Sequence, residues 1–201
     1  MHRRTDAGTY AGDMSPGGLK RRWRTLVLIA VTLCALVALD WWQANREFGQ
    51  FLDAVEYSEQ QMVDGYDELE RTIDDSDFAK LDDFAPQFER DQAVLEVRAD
   101  VSEASGTAAA GVQEAGAEVE DVIIMPWHRS MLEARDAQTD HIDAWVKFFK
   151  ATAAEPSKME DNVLSADIAA TFGIAKRRVE EALPPFALHG AAKRVDAIFA
   201  E

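Results

Sequence analysis

Between Thr25 and Leu39 the chain reads TLVLIAVTLCALVAL, fifteen residues without a charge. Trp23 precedes the run and Trp41–Trp42 follow it. A helix over the twenty residues 23–42 rises about 30 Å, the hydrocarbon thickness of a bilayer. Indole rings favour the membrane interface, and Arg24 is placed to snorkel toward headgroups. Trp23, Arg24, Trp41 and Trp42 are therefore read as the anchor of one transmembrane helix in a lipid bilayer.

Beyond it the apolar period changes from continuous to helical. Phe48, Leu52, Val55, Glu59, Met62, Tyr66, Leu69 and Ile73 recur at close to 3.5 residues, a coiled-coil-like seam with one polar member. No proline interrupts residues 40–64, so this helix is free to continue from the apolar run. Asp74-Asp75-Ser76-Asp77 ends it, because short polar side chains compete for backbone hydrogen bonds. Residues 74–86 read as a connection with one short helical turn, and Pro86 suits the opening of the next helix. The second seam is Val94, Val97, Val101, Ala104, Ala108, Val112, Ala115, Val119 and Val122. Its small middle predicts close approach to a neighbour, and Gly106 is its weakest point. Pro126 marks a kink or a new start. A third helix carries Met131, Leu132, Ile142, Trp145, Val146, Phe148 and Phe149. A fourth has Val163, Ala166/Asp167, Ala170, Ile174 and Val179 as inward positions, and Pro184-Pro185 stops it. His189-Gly190 leads into a last short helix with Val195, Ile198 and Phe199.

These elements predict an all-α fold, a single N-terminal transmembrane helix followed by an extracytoplasmic up-down four-helix bundle. The expected division is 1–22 disordered basic tail, 23–42 membrane helix and 43–201 bundle. Its helices are expected at about 43–73, 87–124, 127–153, 160–183 and 191–200.

Charge sets the orientation. Residues 1–24 hold six Lys/Arg against two acids, and residues 43–201 hold fifteen against thirty-four. Lys20, Arg21, Arg22 and Arg24 cluster on one side of the apolar run, so the positive-inside rule puts the N-terminus in the cytoplasm and 43–201 outside. A cleaved signal needs a small-x-small site that Leu39–Trp42 does not supply. A lipoprotein signal at Cys34 needs a small residue where Leu33 stands. The acidic balance argues against nucleic acid as a partner, since phosphates demand Lys and Arg.

Chemistry is sparse. One cysteine excludes an internal disulfide and a Cys-based zinc site. A carboxylate-bridged di-iron centre needs Glu-x-x-His pairs, but Gln138 and Met125 precede His141 and His128 at that spacing. No hydrolase motif or phosphate loop occurs, so no catalytic residue, metal or cofactor is expected. The densest polar stretch supplies the candidate binding residues Trp127, His128, Arg135, His141 and Trp145. Arg135 falls on the expected inward stripe of its helix. A buried guanidinium needs a carboxylate, and Asp91 and Asp167 are the conceivable partners, in a structural salt bridge or a ligand site.

Pro126-Trp127-His128-Arg129, Ala134-Arg135, His141, Trp145 and the closing Arg194-Val195-Asp196-Ala197-Ile198-Phe199 give a loose resemblance over 125–201. The chain resembles uncharacterised small membrane-anchored helical proteins of high-GC Gram-positive bacteria. That resemblance implies a basic tail, one membrane helix and an outer helical bundle, and it carries no catalytic residues. The expected function is non-enzymatic interaction with a protein partner, a second copy or an envelope component. The alternative is a small-molecule sensor that works with a partner membrane protein.

Overall fold

The computed structural model describes residues 16–81, 86–187 and 190–200, with side chains from residue 23 onward. The described chain is all-helical and holds no strand. It divides into two compact units, Met1–Trp42 and Gln43–Glu201. The elements are α1 (Pro16–Asp74), α2 (Asp77–Lys80), α3 (Gln87–Asp121), α4 (Arg129–Ala154), a 3-10 turn (Pro156–Glu160), α5 (Asn162–Glu181) and α6 (Ala191–Ile198). α1 supplies the first unit and opens the second.

In the first unit every side chain from Trp23 to Trp42 is exposed. Among the described residues this is the one helix long and apolar enough to cross a membrane, and a signal sequence passes the same test. The tail expected to be disordered over 1–22 lies outside the described residues as far as position 15. From Pro16 the backbone is already helical, as extending a nucleated helix costs little per residue.

The second unit is built around one apolar cluster. Phe48, Phe51, Leu52, Val55, Met62 and Leu69 come from α1, and Val101, Val112 and Val119 from α3. Met131, Ile142, Phe148 and Phe149 of α4 join them, with Leu164 and Val179 of α5 and Val195 and Phe199 at α6. Partners along α4 give the directions. Ala153, Lys150 and Ile142 meet Ser102, Gln113 and Gly116, so α3 and α4 are antiparallel. Lys147, His141 and Glu133 meet Asp167, Thr171 and Arg178, so α5 is antiparallel to α4 as well. Glu47, Ser58 and Tyr66 meet His128, Gln138 and Trp145, so α1 and α4 run parallel.

Local chemistry explains the joints. Ser76 caps α2, its hydroxyl accepting from the Ala79 N–H at 3.2 Å. Asp161 caps α5, its carboxylate accepting from the Val163 N–H at 2.9 Å. Pro126 starts afresh: 122–128 is non-helical, so α3 stops at Asp121, before the expected 124, and α4 begins at Arg129, after the expected 127. Gly106 does not break α3. Part of the expected connection, residues 82–85, and His189 lie outside the described residues.

Two expectations about facing are corrected. On α5 the inward stripe is Leu164, Ile168, Phe172, Ala175 and Val179. Val163 is 75% exposed, and Ala166, Ala170 and Ile174 also face water. Both stripes are apolar enough to pass a periodicity test, and packing on α4 selects one. On α4 the inward stripe is Met131, Ala134, Gln138, His141 and Ile142, which turns Arg135 to the boundary.

Small residues let α1 and α3 approach, as their pattern predicted. A Cβ built on Gly65 would lie 2.9 Å from Ala108 Cβ and 3.1 Å from Phe149 Cζ. One built on Gly106 would meet nothing within 4 Å. Gly65→Ala therefore gains about 1 kcal/mol of helix propensity but incurs about 1–3 kcal/mol of overpacking. We expect a net loss of about 1 kcal/mol there and a gain of up to about 1 kcal/mol for Gly106→Ala. Denaturant midpoints of the full chain in detergent should move in opposite directions.

Candidate functional site

Two polar clusters interrupt the apolar interior, and both bind α1 to α4 or its approach. The first is a clasp at Glu47, whose side chain is buried. Its Oε2 lies 2.7 Å from His128 Nδ1 and accepts from the Met125 N–H at 3.1 Å. Its Oε1 accepts from Gln43 Nε2 at 3.0 Å. One carboxylate thus fixes the non-helical 122–128 segment against the first turns of α1 beyond Trp42.

The second cluster lies deeper. Gln138 Nε2 donates to Glu59 Oε1 at 2.7 Å and to Ser58 Oγ at 3.2 Å. Ser58 in turn donates to the Val55 carbonyl at 2.8 Å. His141 has no exposed surface. Its Nδ1 is 3.0 Å from Thr171 Oγ1, and that hydroxyl gives its own proton to the Asp167 or Ile168 carbonyl. Thr171 must therefore accept, so the imidazole proton sits on Nδ1. The bare Nε2 faces Glu59 Oε1 at 3.7 Å, an electrostatic neighbour beyond hydrogen-bond reach. His141 Nε2 and Gln138 Oε1 are both buried without a hydrogen-bond partner.

Burial sets the protonation of this pair. Desolvation pushes the Glu59 carboxyl up to about 7, with the Gln138 hydrogen bond opposing it. Desolvation pushes the His141 imidazole down to about 4. Between about pH 4 and 7 both groups are neutral, because moving an ion out of water costs more than a 3.7 Å contact returns. The arrangement stores one proton on a carboxyl whose side chain keeps 13% of its surface exposed. His141 and Gln138 have none, so proton exchange is the chemistry open to the cluster.

The five candidate binding residues have separate surroundings. Trp127 is exposed in the 122–128 segment and lies edge-on to His128, with ring centroids 6.0 Å apart. His128 belongs to the Glu47 clasp and His141 to the Glu59 cluster. Arg135 lies 3.7 Å from its neighbour Asp136, not from Asp91 or Asp167, and Asp167 instead pairs with Lys147 at 3.1 Å. Trp145 packs on Tyr66 and stacks on Phe149, with centroids 6.1 and 5.4 Å away. A cleft of about 720 Å³ opens elsewhere, beside Asp64, Glu68, Asp100 and Glu103. Among the described residues no three His, Cys, Asp or Glu side chains converge as metal ligands.

Glu47, Ser58, Gln138 and Thr171 are missing from the sequence-derived set. Glu59 carried a signal, as the polar member of an apolar seam. Gln138 carried one too, four residues after Ala134 and four before Ile142. Glu47 had none, because its partner lies in a loop 81 residues away. Comparison with protein-family models, with curated proteins and with solved structures found no match.

The neutral pair makes a signed pH prediction. Glu59 contributes stability that is fully present below its unfolded value of 4.5 and lost as pH rises to about 7. His141 contributes stability that is present above its unfolded value of 6.5 and lost as pH falls to about 4. Between 4.5 and 6.5 folded and unfolded chains bind one proton each at this pair, so the slopes cancel. Glu59→Gln should expose a stability that rises with pH from 4 to 6.5, and His141→Gln one that falls from 4.5 to 7. Each slope should total about 3 kcal/mol in denaturant titrations across pH. Removing the clasp by Glu47→Ala should cost about 2–3 kcal/mol. Removing the exposed Glu133–Arg178 pair by Glu133→Ala should cost under about 1 kcal/mol in the same assay.

Proposed function

We propose that this is a single-pass membrane protein with a cytoplasmic N-terminus, tethering an up-down four-helix bundle outside the cytoplasm. The bundle acts without catalysis, by contact with another protein or an envelope component. One observation carries the reading: an apolar helical segment with every side chain from Trp23 to Trp42 bare leads into a packed acidic helical unit. A bare apolar surface of that length is stable in lipid and costly in water. The Lys20–Arg24 cluster before it supports the orientation. The loose resemblance over 125–201 points the same way.

The absence of catalytic expectation rests on the residues. The deepest polar cluster is nearly enclosed, with only the Glu59 side chain reaching the surface, and its two titratable groups are neutral between about pH 4 and 7. A sensor using Trp127, His128, Arg135, His141 and Trp145 needs those side chains to face one space. Their separate partners favour the interaction reading. The −19 balance of residues 43–201 suits a basic or cationic partner surface.

Protease added to intact cells should remove an epitope placed on the C-terminal side and spare one at the N-terminus. In-cell crosslinking from the outer unit should recover a discrete protein or a second copy. The opposite protease pattern, or a mature chain that begins beyond Trp42, would overturn the topology.

A further inference from the structure

The two ends of the outer unit differ in charge. At one end the chain turns through 74–80, with Asp74, Asp75, Asp77 and Lys80, and through 155–161, with Glu155, Lys158, Glu160 and Asp161. At the other end it turns through 122–128 (VIIMPWH) and 182–187 (ALPPFA), which contain no Asp, Glu, Lys or Arg. That is unusual in a unit with thirty-four acids. The antiparallel α4 and α5 put these two uncharged turns together, since Glu133 near the start of α4 meets Arg178 near the close of α5.

The uncharged turns also expose large apolar side chains. Ile123 is 78% exposed, Trp127 61% and Phe186 90%. Phe186 has a backbone φ of 62°, uncommon for an aromatic residue, and Pro184–Pro185 stiffen its approach. Exposed Phe78 and Phe88 occur toward the other end, directly beside Asp77, Glu89 and Arg90 in the chain, whereas the charges near Ile123 and Trp127, among them Asp53, Glu118, Asp121 and Arg129, belong to the helices that flank the turn.

Connectivity says what lies near the uncharged end. The Glu47 clasp holds Met125 and His128, and Glu47 stands five residues beyond Trp42. Five residues span at most about 18 Å, whatever the chain's path. Only a short stretch of chain thus separates the residue that clasps these turns from the end of the apolar segment. An acidic unit is repelled by anionic headgroups, and an uncharged aromatic edge is the part of it that a lipid interface accepts.

We propose that the end of the outer unit formed by 122–128 and 182–187 rests in the bilayer interface, with Ile123, Trp127 and Phe186 inserted among the lipid headgroups. This inference rests on the membrane reading under Proposed function. Its occupant is lipid, and the Glu47 clasp is the device that keeps the turns at that depth.

The test uses the full chain in phosphatidylcholine nanodiscs with one spin label at a time. The label sits on native Cys34, or, in a Cys34→Ser background, on Ile123→Cys, Phe186→Cys or Phe88→Cys. Collision with lipid-soluble oxygen is compared with collision with a water-soluble nickel chelate, after circular dichroism shows unchanged helix. Labels at 34, 123 and 186 should favour oxygen severalfold, and the label at 88 should favour nickel. Lipid exposure at 34 with water exposure at 123 and 186 would overturn the docking alone. Water exposure at 34 would overturn the anchor and the docking with it. Shielding of 123 and 186 from both reagents would mark a protein contact and overturn the proposal.

Discussion

Glu59 and His141 face each other in the interior, with 13% and 1% of their side chains exposed, and the polar contacts around them set the register of α1 against α4. These helices run parallel, so no short turn sets their alignment. Apolar packing alone tolerates sliding by a turn, because one buried methyl group resembles another. A buried carboxyl and amide do not tolerate it: a slip would separate Glu59 and Ser58 from Gln138, at a cost of about 1–3 kcal/mol for each orphaned group. The Glu47–His128 contact repeats the logic at the end where α1 enters the unit. The two clusters pin one pair of helices at two heights.

The small-residue face of α3 sets how near its neighbours come. With Gly65 against Ala108, and Gly116 against Ile142, the backbones come close enough that larger side chains at those positions would overlap their neighbours. The Glu59–His141 cluster is enclosed by α1, α4 and α5 instead, through Ser58, Gln138, Thr171 and Phe172. Charge elsewhere plays a smaller part. Arg194 reaches Asp53 and Glu56, and Arg178 reaches Glu133 and Glu181, but these pairs are half exposed and contribute little each. Most carboxylates in the unit have no basic residue to pair with and remain solvated, which keeps the surface strongly acidic without specifying the fold.

Much of the helix map was legible along the chain. The apolar run and the breaks at Asp74–Asp77, Pro126 and Pro184–Pro185 lie within a few residues of the groups that cause them. Helix bounds accordingly fall within a few residues of expectation. The face of α5 was not legible, because Val163 and Ile174 are as apolar as the Leu164–Ile168–Phe172 stripe that α4 buries. Arg135 misled for a related reason. One residue is 100° around a helix, and moving the stripe from Arg135 to Ala134 and Gln138 exchanges a buried charge for a buried amide.

The sequence by itself determined where helices form, where they stop, and that one apolar segment precedes an acidic helical unit. Those properties depend on backbone hydrogen bonds, side-chain entropy and solvation of residues a few positions apart. Only the tertiary structure decided which face each helix buries, which polar side chains meet, and that burial raises the Glu59 carboxyl and lowers the His141 imidazole. Those depend on exclusion of water by surfaces brought together from distant parts of the chain, and no local window contains both surfaces.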